Sequence, residues 1–164
     1  MIEVERRSIV HPRTETIICP ATGSGVMPSG VAKDIKRIAG EKLQQEAMAL
    51  VKSNGKLFDV GSYFCTMPYR LSRRGVKKVY HAVVMPFPGG IGSTDFVFKS
   101  VDKILQRALV DGIKSIAIPC LDCNIDKTSI ARITVSAIKI YSGSISIRFV
   151  DTDEEFINTV GNLI

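Results

Sequence analysis

The chain holds 164 residues, 45% hydrophobic and 23% charged, a balance that excludes disorder and collagen-like or coiled-coil architectures for most of its length. Its 22 basic against 16 acidic residues leave +6, which favours anionic partners such as nucleotides, nucleic acid or an acidic protein face, and equally suits a solvated basic surface. No apolar run approaches the roughly 20 residues that cross a bilayer, and Met1–Arg7 lacks the apolar stretch of a signal peptide. The expectation is one cytoplasmic domain spanning 1–164, with no membrane partner.

Taken in chain order, Ile2–Val4 and Ser8–Val10 read as short strands. Thr16–Cys19 is an apolar run stopped by Pro20, hence a buried strand. A loop rich in Gly, Ser and Pro follows from Pro20 to Ser29. Val31, Ile35 and Ile38 then recur at helical spacing, with Ser29 as an N-cap candidate. Gly40 interrupts that helix; Leu43, Ala47, Leu50 and Val51 resume its apolar face until Gly55. Gly61–Thr66 predicts a strand ended by Pro68, and Val76–Val84 another, rich in Val and Tyr.

Met85–Gly90 predicts a loop, Phe96–Val110 the best-patterned helix, and Ile113–Pro119 a strand apolar on both faces. Ile130, Ile133, Ala137 and Tyr141 mark a helix before Gly143, Ser144–Val150 alternates as a strand, and Glu154–Val160 closes the chain as a helix. Strands alternating with helices predict an α/β fold: a three-layer α/β/α sandwich on a mixed, mainly parallel sheet of about six strands. In such sheets a ligand sits beyond the carboxyl ends of the strands.

Two loops leave buried strands at that end. The first, Cys19–Val31, runs into a helix. Its glycines let a backbone approach a ligand closely, and a helix N-terminus offers unpaired N–H groups to phosphate; a plain strand-to-helix turn asks for the same residues. It is neither a G-x-x-x-x-G-K-[ST] phosphate loop nor a G-x-G-x-x-G fingerprint. The second loop is Pro119–Lys127, where Asn124 and backbone amides could hold a ligand, while Asp122 and Asp126 would repel phosphate if turned inward.

Cys120-x-x-Cys123 lacks the second close Cys pair of a zinc site, so no metal and no cofactor is expected. All four cysteines read as reduced. Cys19, Cys65 and Cys120 stand at or near strand carboxyl ends, either as a thiol cluster or as small apolar fillers. His81 in mid-strand reads as a core histidine rather than a base, and no carboxylate neighbours it in sequence.

The ordered motifs resemble one family. Ile17-Ile18-Cys19-Pro20-Ala21-Thr22 and Pro28-Ser29-Gly30-Val31 fall in register with the I-V-N-A-A-N and G-G-G-V segments of macro domains, the ADP-ribose-recognising modules. Ile38-Ala39-Gly40 is similar to the end of that family's helix, Gly61–Thr66 to its G-x-A-x-x-T strand, Val79–Val83 to V-I-H-A-V, and Ser115–Pro119 to S-I-A-F-P. Against the family pattern, Cys19 and Thr22 replace both motif asparagines and Ala32 stands where an Asp often activates water. No equivalent of the adenine-reading Asp lies between Ser8 and Thr16, and the diphosphate loop's G-T-G has become Asp122-Cys123-Asn124.

The resemblance implies binding of ADP-ribose, a related nucleotide or an ADP-ribosyl group by backbone amides of the two loops. The ligand-facing set it implies is Ala21, Thr22, Gly23, Ser29, Gly30 and Val31, then Asp122, Cys123, Asn124, Ile125 and Asp126, with Val150 touching the base. Hydrolysis of ADP-ribose derivatives lacks its usual residues; a water activated by substrate phosphate is the one remaining route, and no catalytic residue is named. The alternative is a macro-fold interaction module without nucleotide binding. Its basic face would be the segment Arg70–Lys78, which holds Arg70, Arg73, Arg74, Lys77 and Lys78 and would take RNA, poly(ADP-ribose) or an acidic protein.

Overall fold

The computed structural model describes residues 1–164. Six strands form one sheet: β1 (Ile2–Arg6), β2 (Thr16–Thr22), β3 (Tyr63–Thr66), β4 (Lys78–Met85), β5 (Ser115–Ile118) and β6 (Ser146–Asp151). Their order is β1-β6-β5-β2-β4-β3. Every pairing is parallel except that of the edge strand β3 with β4. Five helices cover it: α1 (Gly30–Ala39), α2 (Glu41–Asn54), α3 (Thr94–Val110), α4 (Lys127–Ile138) and α5 (Glu154–Leu163).

The period-2 pleat sorts the strand side chains between two helical layers. Ile17, Cys19, Val79, Ala117 and Val150 pack beneath α1 and the start of α2, against Ile35, Ala39 and Leu43. Ile18, Tyr80, Ala82, Ile116, Ile118, Ile147 and Phe149 point to the opposite face, under α3, α4 and α5. The outcome is a three-layer α/β/α sandwich with a mixed, mainly parallel sheet.

Two local expectations need correcting. Ser8–Val10 is a turn, with the His11 amide donating to the Ser8 carbonyl at 3.0 Å. Ile9 and Val10 are apolar because they are buried in the same core cluster as Leu71 and Val76. β2 also runs through Pro20 to Thr22. Proline lacks the N–H a central ladder needs, yet β5 pairs with β2 only at Thr16 and Ile17, so at Pro20 the strand has a neighbour on the β4 side alone. A pattern rule that ends strands at proline cannot see that half-open position.

His81, in the middle of β4, is buried and stacked on Phe64 with ring centroids 4.5 Å apart. Its Nε2 lies 2.9 Å from Thr66 Oγ1, and Nδ1 has no partner. Burial pulls its pKa from 6.5 down to about 3. Between those values the unfolded chain binds a proton that the folded chain refuses. This part of the stability is complete above pH 6.5 and is lost as the pH falls toward 3, at up to about 1.4 kcal/mol per pH unit. Urea titrations across that window should show a shallower slope in His81→Leu than in the parent, the remainder belonging to carboxylates such as Asp126 and Asp153; equal slopes would show that His81 protonates freely in the fold.

Candidate functional site

At the carboxyl ends of β2, β4, β5 and β6 the loops part around a cleft of about 640 Å³. One wall is built by the end of β2, the loop after it and the start of α1. Gly23 belongs to that loop but turns away from the cleft, because a Cβ there would stand 2.3 Å from the Phe58 carbonyl oxygen. The chain crosses closely over Phe58, whose amide donates to the Gly23 carbonyl at 3.0 Å. Thr22 Oγ1 lies 2.8 Å from Ser24 Oγ, and the Met27 amide donates to Gln44 Oε1 at 2.8 Å, which fixes the loop on α2.

Gly30 opens α1 with φ +60° and has open space where a side chain would be. Ser29 occupies the N-cap position, but its hydroxyl makes no capping bond. The first helical bond of α1 is Lys33 N–H to the Ser29 carbonyl, at 3.2 Å, so the amides of Gly30, Val31 and Ala32 donate to nothing in the chain. Those orphan donors and the positive end of the helix dipole face the cleft.

The facing wall is the loop from Cys120 to Asp126 and the end of β6. Asp151 is buried, and its carboxylate holds the two together: Cys120 N–H donates to Oδ2 at 2.9 Å and Asp153 N–H to Oδ1 at 2.8 Å. Asn124 adopts φ +61°, takes its own amide to Asp122 Oδ1 at 3.1 Å, and donates from Nδ2 to the Gly90 carbonyl at 2.6 Å. That last bond ties the wall to the rim made by Pro88 and Gly89.

Of the predicted ligand-facing residues, Ala21, Thr22, Ser29, Gly30, Val31, Asp122 and Asn124 line the cleft, and Gly23, Cys123, Ile125, Asp126 and Val150 do not. Cys123 is buried against Gly92, and Ile125 packs on the core under α3 and α4. Asp126 caps α4: Ser129 N–H and Oγ–H donate to its carboxylate at 2.8 and 2.7 Å, bonds that hold its pKa below the usual range. Val150 points into the core beneath α1, because the pleat gives the cleft to its neighbour Asp151.

Asp34, Lys127, Asp151, Thr152 and Asp153 also line the cleft. Spacing carried a signal for three of them. Asp34 lies one helical turn beyond Gly30, and Asp151-x-Asp153 directly follows the last predicted strand. Asp153 also caps α5, accepting from Phe156 N–H at 2.9 Å, and it is ion-paired to Lys127, which holds the Asp153 carboxyl below and the Lys127 ammonium above their ordinary values. The cleft therefore has free amides at the α1 end, with the exposed Asp34 carboxylate one helical turn on, further carboxylates at the β6 end, and one lysine already engaged.

The cysteines divide between the layers. Cys19 lies under α1, whereas Cys120 and Cys123 belong to the cluster under α3 and α4. Burial pushes the Cys65 and Cys123 thiols up to about 11, and the Cys19 and Cys120 thiols higher still. No three His, Cys, Asp or Glu side chains stand together as a metal-ligand set. No helix is long and apolar enough to cross a membrane.

Residues 18–136 match the model of the Macro domain family. The chain belongs to the macro domain family. An uncharacterized protein of Aquifex aeolicus (strain VF5) is 30% identical to this macro domain over 161 residues, 95% of this chain and 93% of the relative. The structure of the Oceanobacillus iheyensis macrodomain with ADP superposes with a TM-score of 0.86 at 17% identity, covering 98% of this chain and 88% of the other. A mutant of that macrodomain with ADPR gives a TM-score of 0.84 at 18% identity, covering 98% and 89%. At such identities the likeness is one of fold. It leaves the cleft chemistry of this macro domain to its own residues.

The basic segment Arg70–Lys78 is not one face of the macro domain. Lys77 pairs with Glu15 at 3.4 Å and Lys78 with Asp111 at 3.1 Å. Arg74 donates to the Val10 carbonyl at 2.6 Å and lines a shallow cleft with Arg7, His11 and Arg13. Arg70 turns the other way, toward α1 and α2.

Proposed function

We propose that this macro domain binds ADP-ribose or a closely related nucleotide in the cleft at the strand carboxyl ends, with the diphosphate on the amides of Gly30 and Val31. The observation that carries this is the uncapped start of α1, whose three orphan donors open onto a cleft of about 640 Å³. This lining of amides and carboxylates supports a mixed ligand over a bare polyphosphate. Anionic oxygens fit the orphan amides of α1, with Asp34 the one opposing carboxylate on that helix, while ribose hydroxyls or a base amino group, as donors, fit the carboxylates of Asp122, Asp151 and Asp153. The macrodomain structures with ADP and ADPR support the same ligand class.

Binding without turnover fits the residues best. Cys19, at the first motif-asparagine position, is buried beneath α1, and Thr22, at the second, spends its hydroxyl on Ser24. Neither offers the amide of the asparagine it replaces.

Titration calorimetry with ADP-ribose, with AMP beside it, tests the proposal. Micromolar binding of ADP-ribose is expected, with AMP weaker because it lacks the diphosphate. Gly30→Glu puts a carboxylate among the orphan amides in left-handed backbone, and should weaken binding at least about 100-fold, about 2.7 kcal/mol. Its stability should fall by about 1–2 kcal/mol, because φ +60° strains any residue with a Cβ, but no further, since nothing lies within 4 Å of the new atom. Absent or millimolar binding by the parent would leave the interaction-module alternative standing.

A further inference from the structure

On the outer side of α1, away from the orphan amides, the C-terminal half of that helix, the start of α2 and the 3-10 turn Tyr69–Arg74 enclose a second groove. Lys33, Lys36, Arg37, Lys42 and Arg70 line it, and Glu41 is its single acid. None of these five cations belongs to an ion pair, although ion pairs engage basic side chains elsewhere on the surface. Lys33 and Lys36–Arg37 are one helical turn apart, which sets their Cβ atoms roughly 5–6 Å from one another. The guanidinium of Arg70 crosses from the 3-10 turn to within 3.7 Å of where a Gly40 side chain would begin, closing the row from the other side.

Tyr69 supplies the groove's one aromatic ring. Its backbone takes φ +48°, a left-handed conformation that costs a non-glycine residue energy and needs outside support. Glu46 provides that support, accepting from both Tyr69 Oη–H and Met67 N–H at 2.9 Å. The ring is thus held at the groove by a fixed hydrogen bond.

We infer that this groove is a binding surface for the phosphate backbone of single-stranded nucleic acid. Five cations outside any ion pair, gathered beside one aromatic ring, are what such a strand engages. An acidic protein partner is less suited, because a protein interface needs a desolvated apolar core and only two of the nine lining residues are hydrophobic. The cleft of Arg7, Arg13 and Arg74 is a weaker candidate, since Glu5 already lies 2.9 Å from Arg7 and 3.8 Å from Arg13. The groove does not depend on the nucleotide cleft, and its test is separate.

Fluorescence anisotropy with a fluorescein-labelled oligothymidylate, followed from 50 to 200 mM salt, reads the contact directly. Five phosphate contacts on a single strand give a slope of log K against log salt of about −3.5, a loss of roughly 100-fold over that range. In Lys36→Gln/Arg37→Gln/Arg70→Gln the slope should shrink to about −1.4, a loss of roughly 7-fold, with weaker binding at 50 mM. Lys103→Gln/Arg132→Gln, which removes two exposed charges on α3 and α4, should bind like the parent. Three results would overturn the inference: equal loss in the two variants, displacement of the strand by saturating ADP-ribose, or binding of a labelled polyglutamate peptide as tight as that of the oligonucleotide and lost in the same variant.

Discussion

Gly92→Ala is expected to lower stability by about 3 kcal/mol, at the upper end of overpacking effects. An added Cβ would stand 2.3 Å from the Val84 carbonyl oxygen, 2.6 Å from Cys123 Cβ and 2.8 Å from Cys123 Sγ. Val84 is anchored in β4, and Cys123 is fully buried, so neither can yield cheaply. The Gly92 amide also donates to the Cys123 carbonyl at 2.8 Å, a second bond, with that of Asn124 to Gly90, between the β4–α3 loop and the Cys120–Asp126 loop. Urea unfolding should show a lower midpoint with an unchanged m-value. Gly143→Ala, with nothing within 4 Å of the new atom, is the matched control and should move the midpoint little. Parent-like stability in Gly92→Ala would mean that the two loops are not packed as described.

Asp151→Ala should cost about as much, by a different route. Its carboxylate is the acceptor for the amides of Cys120 and Asp153, and the residue is only 7% exposed. Removing it leaves two donors unpaired, at about 1–3 kcal/mol for each that stays buried, so a total near 3 kcal/mol is expected. Asp34→Ala is the contrast. Asp34 is exposed and holds no hydrogen bond or ion pair, so its loss should change stability by no more than about 0.5 kcal/mol. It should also tighten binding of an anionic ligand, since a like charge leaves the cleft. Equal stability of the two variants in denaturant would show that the Asp151 bonds are replaced by solvent.

Part of the lining of the candidate cleft was legible in sequence, where backbone supplies the donors. A glycine and an uncharged turn before Val31, Ile35 and Ile38 announce an open helix start, and the structure places Gly30 and Val31 at the cleft. Side-chain direction, by contrast, leaves no mark in the sequence. Gly23 and Gly30 look alike in a glycine-rich loop, yet one sits beneath a neighbouring carbonyl and the other faces open space. Asp122 and Asp126 look alike in the second loop, yet one lines the cleft and the other caps a helix. Val150 and Asp151 differ by one step of the pleat, which sends the first into the core and the second to the cleft.

Apolar periodicity by itself determined most of the strands and helices of this macro domain, though not the turn at Ser8–Val10 or the end of β2, because burial of one face or stripe is a local property of neighbouring residues. Only the tertiary structure decided which charges share a space. The strand order brings Asp34 of α1 to the same cleft as Asp151 and Asp153, far along the chain, and a 3-10 turn carries Arg70 to the lysines of α1 and α2. Charge interactions act through space, and a one-dimensional pattern holds no record of that distance.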